Sequence, residues 1–106
     1  MSTHPDTIAF IEEQLGGLPI RTRPMFGEYG IYCDDVFVGV ICDDRLFLKR
    51  SKADPELFAQ TSLEAAYSGA SPSHAVPRFL LEDADWLTRA VRATAEALPP
   101  PKKRKG

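Results

Sequence analysis

Between Arg21 and Lys49, apolar positions either alternate with polar ones or run on continuously, and β-branched and aromatic residues dominate. Two acidic pairs, Asp34-Asp35 and Asp43-Asp44, break the stretch at hairpin spacing. The pattern predicts a short extended segment over residues 20–23, a kink at Pro24, and then a three-stranded antiparallel meander. With each acidic pair as a two-residue turn, Cys33 faces Val36, Ile31 faces Val38 and Tyr29 faces Val40. The second turn sets Cys42 opposite Arg45, Val40 opposite Phe47 and Val38 opposite Lys49. One face then carries Tyr29, Ile31, Val38, Val40 and Phe47. The other carries Tyr32, Phe37, Ile41, Leu46 and Leu48, with Gly30 opposite Gly39. Both faces are apolar, so both call for cover. Helices supply it on one side; a partner, a second copy of the chain included, is the candidate cover for the other.

Outside the meander the periodicity turns helical. A first helix is expected from His4-Pro5-Asp6, with Ile8, Ile11 and Leu15 as its buried stripe and Glu12 and Glu13 facing water. Gly16-Gly17 is expected to end it in a left-handed cap. Pro24 confines the segment before it to a sheet edge, with Arg21 and Arg23 pointing the same way. Asp54-Pro55 opens a short helix, and residues 61–66 read as a further helical turn. Residues 67–76 have loop composition, and residues 77–81 read as a last short strand. The strongest helix follows. Asp83 or Asp85 caps it, Trp86, Leu87, Ala90 or Val91, Thr94 and Leu98 line its stripe, and Arg92 and Glu96 pair on its wet side. Pro99, Pro100 and Pro101 stop it. The reading is one domain over residues 1–98 and a disordered Pro-rich basic tail over residues 99–106.

The meander also carries a resemblance. Arg23-Pro24-Met25-Phe26-Gly27, then Tyr29-Gly30-Ile31-Tyr32, then Cys42-Asp43-Asp44-Arg45-Leu46-Phe47-Leu48-Lys49 resembles the N-terminal domain of the TfoX (Sxy) family. The likeness continues through Pro77-Arg78-Phe79 and the helix around Trp86-Leu87, from about Ile8 to Leu98. That family consists of bacterial regulators associated with natural competence, and longer members add a second helical domain. The resemblance implies a secretion-chaperone-like α+β arrangement and a role in transcriptional control.

Composition narrows the function classes. The chain has 106 residues, with 43% hydrophobic and 26% charged, enough for one core and little more. It has no run near the roughly 20 apolar residues that a membrane span needs. The first residues lack a signal-peptide pattern, so the expected location is cytoplasmic, with no membrane partner. Lys102, Lys103, Arg104 and Lys105 contribute +4 to a formal net charge of −2, leaving −6 on the rest. The body should therefore repel nucleic acid, and any such affinity is expected to be weak and carried by those four tail cations.

No metal or cofactor is expected. His4 and His74 are far apart in sequence, and Cys33 and Cys42 lack ligand spacing. The expected register places the two cysteines six residues apart along the strands, about 20 Å, too far for a disulfide. Each sits beside a carboxylate (Asp34, Asp43), which disfavours a thiolate nucleophile.

The expected fold is therefore a two-layer α+β domain, an antiparallel meander packed with the N- and C-terminal helices. The expected function is a non-enzymatic regulatory or adaptor domain that binds a protein partner. Its candidate partner-binding residues are Arg23, Met25, Phe26, Gly27 and Lys49. Met25 and Phe26 read as core residues first, with outward anchors as the alternative. Two rival functions stand beside this one: weak nucleic-acid binding through the basic tail, and a small enzyme using the loop at residues 67–77 with His74.

Overall fold

The computed structural model describes residues 3–25 and 28–99. Its elements run α1 (Pro5–Gln14), β1 (Ile20–Met25), β2 (Glu28–Cys33), β3 (Val36–Cys42), β4 (Arg45–Leu48), a 3₁₀ turn (Pro55–Phe58), β5 (Ser62–Ala65), β6 (Pro72–Ala75), α2 (Arg78–Leu81) and α3 (Ala84–Ala97). The strands form one open antiparallel sheet in the order β1-β2-β3-β4-β6-β5. This is the expected α+β class, with two strands more than the meander and its edge segment predicted.

Both hairpin turns form as the acidic pairs imply. Asp34 and Asp35 have φ of 53° and 66°, and Asp43 and Asp44 have 53° and 63°. Positive φ at both central residues is the type I′ geometry, whose twist suits adjoining strands, and Asp tolerates it better than most residues. The second turn is held further: Asp44 Oδ1 accepts from the His4 backbone N–H at 2.8 Å and from Thr7 Oγ1 at 2.9 Å. The N-terminus of α1 is thereby tied to the β3–β4 hairpin.

The β3–β4 register is the expected one: Cys42 pairs with Arg45, Ile41 with Leu46 and Val40 with Phe47. The β2–β3 register is not. Cys33 pairs with Val36 and Tyr32 with Phe37, but Ile31 then pairs with Gly39, Gly30 with Val40 and Tyr29 with Ile41. Val38 is an inserted residue, a β-bulge, and every position beyond it slips by one. Gly39 permits the bulge, because a Cβ there would collide with the Phe47 carbonyl oxygen of the neighbouring strand.

The slip re-sorts the two faces. Ile31, Val38, Ile41, Leu46 and Leu48 all enter the core, and each is fully buried. The helices pack on this side. Ile8, Ile11 and Leu15 come from α1, Leu80 and Leu81 from α2, and Trp86, Leu87, Ala90 and Val91 from α3. Each large aliphatic side chain so buried contributes roughly 1.5–3 kcal/mol. Trp86 adds an Nε1–H hydrogen bond to the Leu57 carbonyl at 2.8 Å, which pins the 3₁₀ turn to α3. Asp83 caps α3, its carboxylate accepting from the Trp86 N–H at 3.0 Å.

Several expectations are corrected. Residues 62–65 are strand β5, paired along their length with β6, where a helical turn was expected. His74 lies in β6 and not in a loop. Residues 78–81 are helix α2, not a strand; Pro77 precedes it with the extended backbone of an N-cap. The chain leaves α1 through Leu15 at φ −102°, without a left-handed glycine. Arg92 and Glu96 form no ion pair among the described residues, whereas Arg78 and Glu82 pair at 3.4 Å. The tail over residues 100–106 lies outside the described residues.

Candidate functional site

Alternation from the register places Arg21, Arg23 and Met25 of β1 on the sheet face that the helices leave open. Glu28, Gly30 and Tyr32 of β2 share it, as do Phe37, Val40 and Cys42 of β3 and Arg45 and Phe47 of β4. None of these belongs to the helix-covered core cluster. The bulge has thus put aliphatic residues inside and aromatic residues outside.

Across the strands the open face carries a row of cation, ring, ring and cation. Arg21 pairs with Tyr32 and its guanidinium lies 5.4 Å from the Tyr32 ring centre. Tyr32 and Phe37 meet at 5.2 Å with their planes tilted by 54°. The Lys49 ammonium lies 5.4 Å from the Phe37 ring centre. A third contact of this kind sets Arg45 5.1 Å over Phe47, itself buried between its cross-strand neighbours Val40 and Ala75. Such contacts are worth about 0.5–1 kcal/mol each where exposed, and they hold cationic heads over apolar ground.

Two of the four cations are matched by carboxylates. Arg21 faces Asp35 at 3.4 Å, and Arg45 makes a two-pronged contact with Glu64 at 3.0 and 3.2 Å. The Arg45 guanidinium and a Ser62 hydroxyl donating at 2.7 Å hold the Glu64 carboxyl below the usual carboxylate range. Arg23 and Lys49 are both exposed and have no carboxylate partner among the described residues. Lys49 borders a shallow groove of about 370 Å³ lined by Tyr32, Asp35, Val36, Phe37, Leu98 and Pro99. At the other end Met25, 36% exposed, fills the hollow that Gly30 leaves: a Cβ on Gly30 would come within 2.8 Å of the Met25 sulfur.

The structure thus brings Arg23, Met25 and Lys49 to one face. Phe26, Gly27 and the four tail cations Lys102, Lys103, Arg104 and Lys105 lie outside the described residues. The expected sheet places Tyr29, Tyr32, Phe37 and Phe47 on faces that both call for cover. Phe47 is indeed buried, but Tyr32 and Phe37 are only half-buried, on the uncovered side. Lys49 three strands away from Arg21 was a usable signal once the place of β1 was known.

Of the groups weighed for catalysis, His74 and Cys33 pack among core residues, while Cys42 is half-buried on the open face. His74 stacks on Phe58 with ring centres 4.5 Å apart and planes within 17°, and its Nδ1 lies 3.1 Å from Thr61 Oγ1. Burial, then the charge of Arg50, lowers its pKa. Cys33 is buried at the wall of a cavity of about 410 Å³ between the β2–β3 turn and the end of α3. Burial, then Asp34, pushes its thiol pKa up, and burial, then Glu28, does the same for Cys42. Neither environment favours the thiolate. Among the described residues no group of three or more His, Cys, Asp or Glu side chains could hold a metal ion. No helix among them is long and apolar enough to cross a membrane.

Comparison with known proteins places this geometry in a family. A Spirochaeta aurantia protein, described as an uncharacterised 12.7 kDa protein in the trpE 5′ region, is 39% identical over 106 residues. The alignment covers 99% of this chain and 91% of that protein. The TfoX N-terminal domain matches residues 13–98, the stretch from the last two residues of α1 through the end of α3. With its fold complete over that match, the chain belongs to the TfoX N-terminal domain family.

Proposed function

We propose that the chain is a competence-type regulatory domain that works without catalysis, by docking a protein partner on the open face of its sheet. The observation that carries this reading is the composition of that face. Half-buried Tyr32, Phe37 and Val40 lie uncovered beside exposed Met25, framed by cations on two sides. Interfaces favour such residues, with aromatics, Met and Arg enriched relative to the rest of a surface. The packed states of His74 and Cys33, and the raised thiol pKa of Cys42, support the regulatory reading over the enzymatic one.

The test is site-specific photo-crosslinking in the native cell. A photoreactive residue at Met25 should yield a discrete protein adduct, and one at Ala9, exposed on α1, should not. The adduct should disappear when Lys49→Glu and Arg23→Glu are introduced together. Regulation of transcripts by the chain should be lost in the same double variant while its melting temperature falls by no more than about 8 °C, the share of the Lys49–Phe37 contact. Full regulation in the double variant would refute the assignment of function to this face.

A further inference from the structure

We infer that the docked partner is an acidic, extended polypeptide segment, with one carboxylate seated at Arg23 and another at Lys49. This rests on the reading of the open face given above and adds the chemistry of its ligand. The first argument is charge. Of the four cations on the face, Arg21 and Arg45 are already matched by Asp35 and Glu64, leaving Arg23 and Lys49 to be complemented from outside. The apolar ground between them, Val40, Phe37 and Met25, offers contact to an uncharged side chain.

The second argument separates a peptide from a nucleic acid. Single-strand binding surfaces offer bare aromatic faces on which bases stack. Here a cation already occupies a face of each ring, Arg21 on Tyr32, Lys49 on Phe37 and Arg45 on Phe47. Tyr32 and Phe37 also pack against each other. A base stacking on the occupied face would displace a cation, whereas a carboxylate binds the same cation where it stands. The formal charge of −6 on the chain without its four tail cations opposes a polyanion at long range, while a short acidic segment needs two contacts.

The third argument is spacing. Arg23 and Lys49 stand on strands β1 and β4, three inter-strand steps apart and, since Arg23 lies in the Gly30–Val40–Phe47 row, two residues apart along the strands, about 16 Å in all. An extended chain advances about 3.3 Å per residue, so carboxylates roughly five residues apart span the two cations. The segment then crosses the strands with an apolar residue between its two acids.

The test is selection of a randomised twelve-residue peptide display library on the intact chain at low salt. The proposal expects enrichment of peptides with Asp or Glu about five residues apart and an apolar residue between. Synthetic versions of the winners should bind at least about tenfold more weakly to the Arg23→Glu, Lys49→Glu double variant. They should bind equally to Arg89→Glu, a cation exposed on α3. Winners without acidic residues, or acidic winners indifferent to the double variant, overturn the proposal. So does a single-stranded oligodeoxythymidylate that binds the intact chain more tightly than the winners and is lost from the double variant. In each of these cases a protein adduct at Met25 that needs Arg23 and Lys49 would still uphold the docking face itself, so the two failures are distinguishable.

Discussion

Gly39 is where the fold decides what the open face displays, and replacing it tests that decision. A Cβ at this position would overlap the Phe47 carbonyl oxygen and lie 3.1 Å from Leu48 Cα. Both neighbours are backbone atoms of the paired strand β4, so no side chain can swing aside. Overpacking of this kind costs about 1–3 kcal/mol, and a rigid backbone neighbour puts Gly39→Ala at the upper end. Alanine also restricts the unfolded chain, which returns about 0.4–1 kcal/mol. The expected net loss is about 2 kcal/mol, and near 4–8 °C per kcal/mol that lowers the melting temperature by about 8–16 °C. Gly17→Ala is the control. A Cβ there meets nothing within 4 Å and the backbone is not left-handed, so the same entropy term should make it neutral or slightly stabilising. Thermal denaturation by circular dichroism reads both. Should Gly39→Ala melt with the wild type, β3 and β4 do not approach as described. The bulge would then have no cause, and the assignment of Tyr32, Phe37 and Val40 to the open side would fall with it.

Other consequences are separable from that one. His74 has a folded-state pKa below its ordinary value of 6.5, so the unfolded chain binds the proton first. Stability should therefore fall as pH drops below about 6.5, and His74→Gln should flatten that part of the profile; an unchanged slope in urea melts would show that another group is responsible. Unfolded, unreduced protein should titrate two free thiols per chain, because Cys42 lies opposite the Glu28 position, five residues along from Cys33 and about 17 Å away at strand rise. In the folded protein Cys33 should react far more slowly than Cys42 with a thiol reagent, and equal rates would contradict its burial. Asp83→Ala removes the cap of α3 and should cost about 0.5–2 kcal/mol, read as a shift in denaturation midpoint without a change in slope.

Much of the fold was legible where local chemistry and tertiary packing agree. The two Asp-Asp pairs gave both turns because few residue pairs adopt two successive left-handed conformations, and Asp is among those that do. Asp83, three residues ahead of the Trp86 N–H, gave the start of α3, and the stripe at Leu87, Val91 and Thr94 gave its buried face. The misreadings fall where nothing local decides. Ser62–Ala65 is short and mostly exposed, and it becomes a strand because β6 is held against β4 through Phe47–Ala75 and Leu48–His74. Arg78–Leu81 carries a three-residue apolar run, Phe79-Leu80-Leu81, that suits either helix or strand. The adjacent positions Leu80 and Leu81 are both buried, which a helix lying on the core allows and a half-covered strand does not.

The open face was illegible for a related reason. Val38, Gly39 and Val40 are all apolar, so a register displaced by one residue satisfies the hydrophobic pattern equally well. Only the close approach at Gly39 distinguishes the registers, and that approach belongs to β4, not to the strand being read. Once the bulge is fixed, the site follows by alternation. Phe37 and Val40 fall on the same side as Tyr32, and Lys49 comes to stand over Phe37. Arg21, on a strand that Pro24 had marked for the edge, closes the other end of the row over Tyr32. The same residue insertion that buries Ile31, Ile41 and Leu48 therefore also assembles the cationic and aromatic face. Deletion of Val38 would remove the inserted residue while keeping the Tyr32–Phe37 and Gly30–Val40 pairs, so Phe37 and Val40 should stay on the open side while the core loses a fully buried valine. The deletion should therefore lose stability and keep partner binding, whereas Arg23→Glu with Lys49→Glu should do the reverse, abolishing binding at the cost of no more than the roughly 0.5–1 kcal/mol of the Lys49–Phe37 contact.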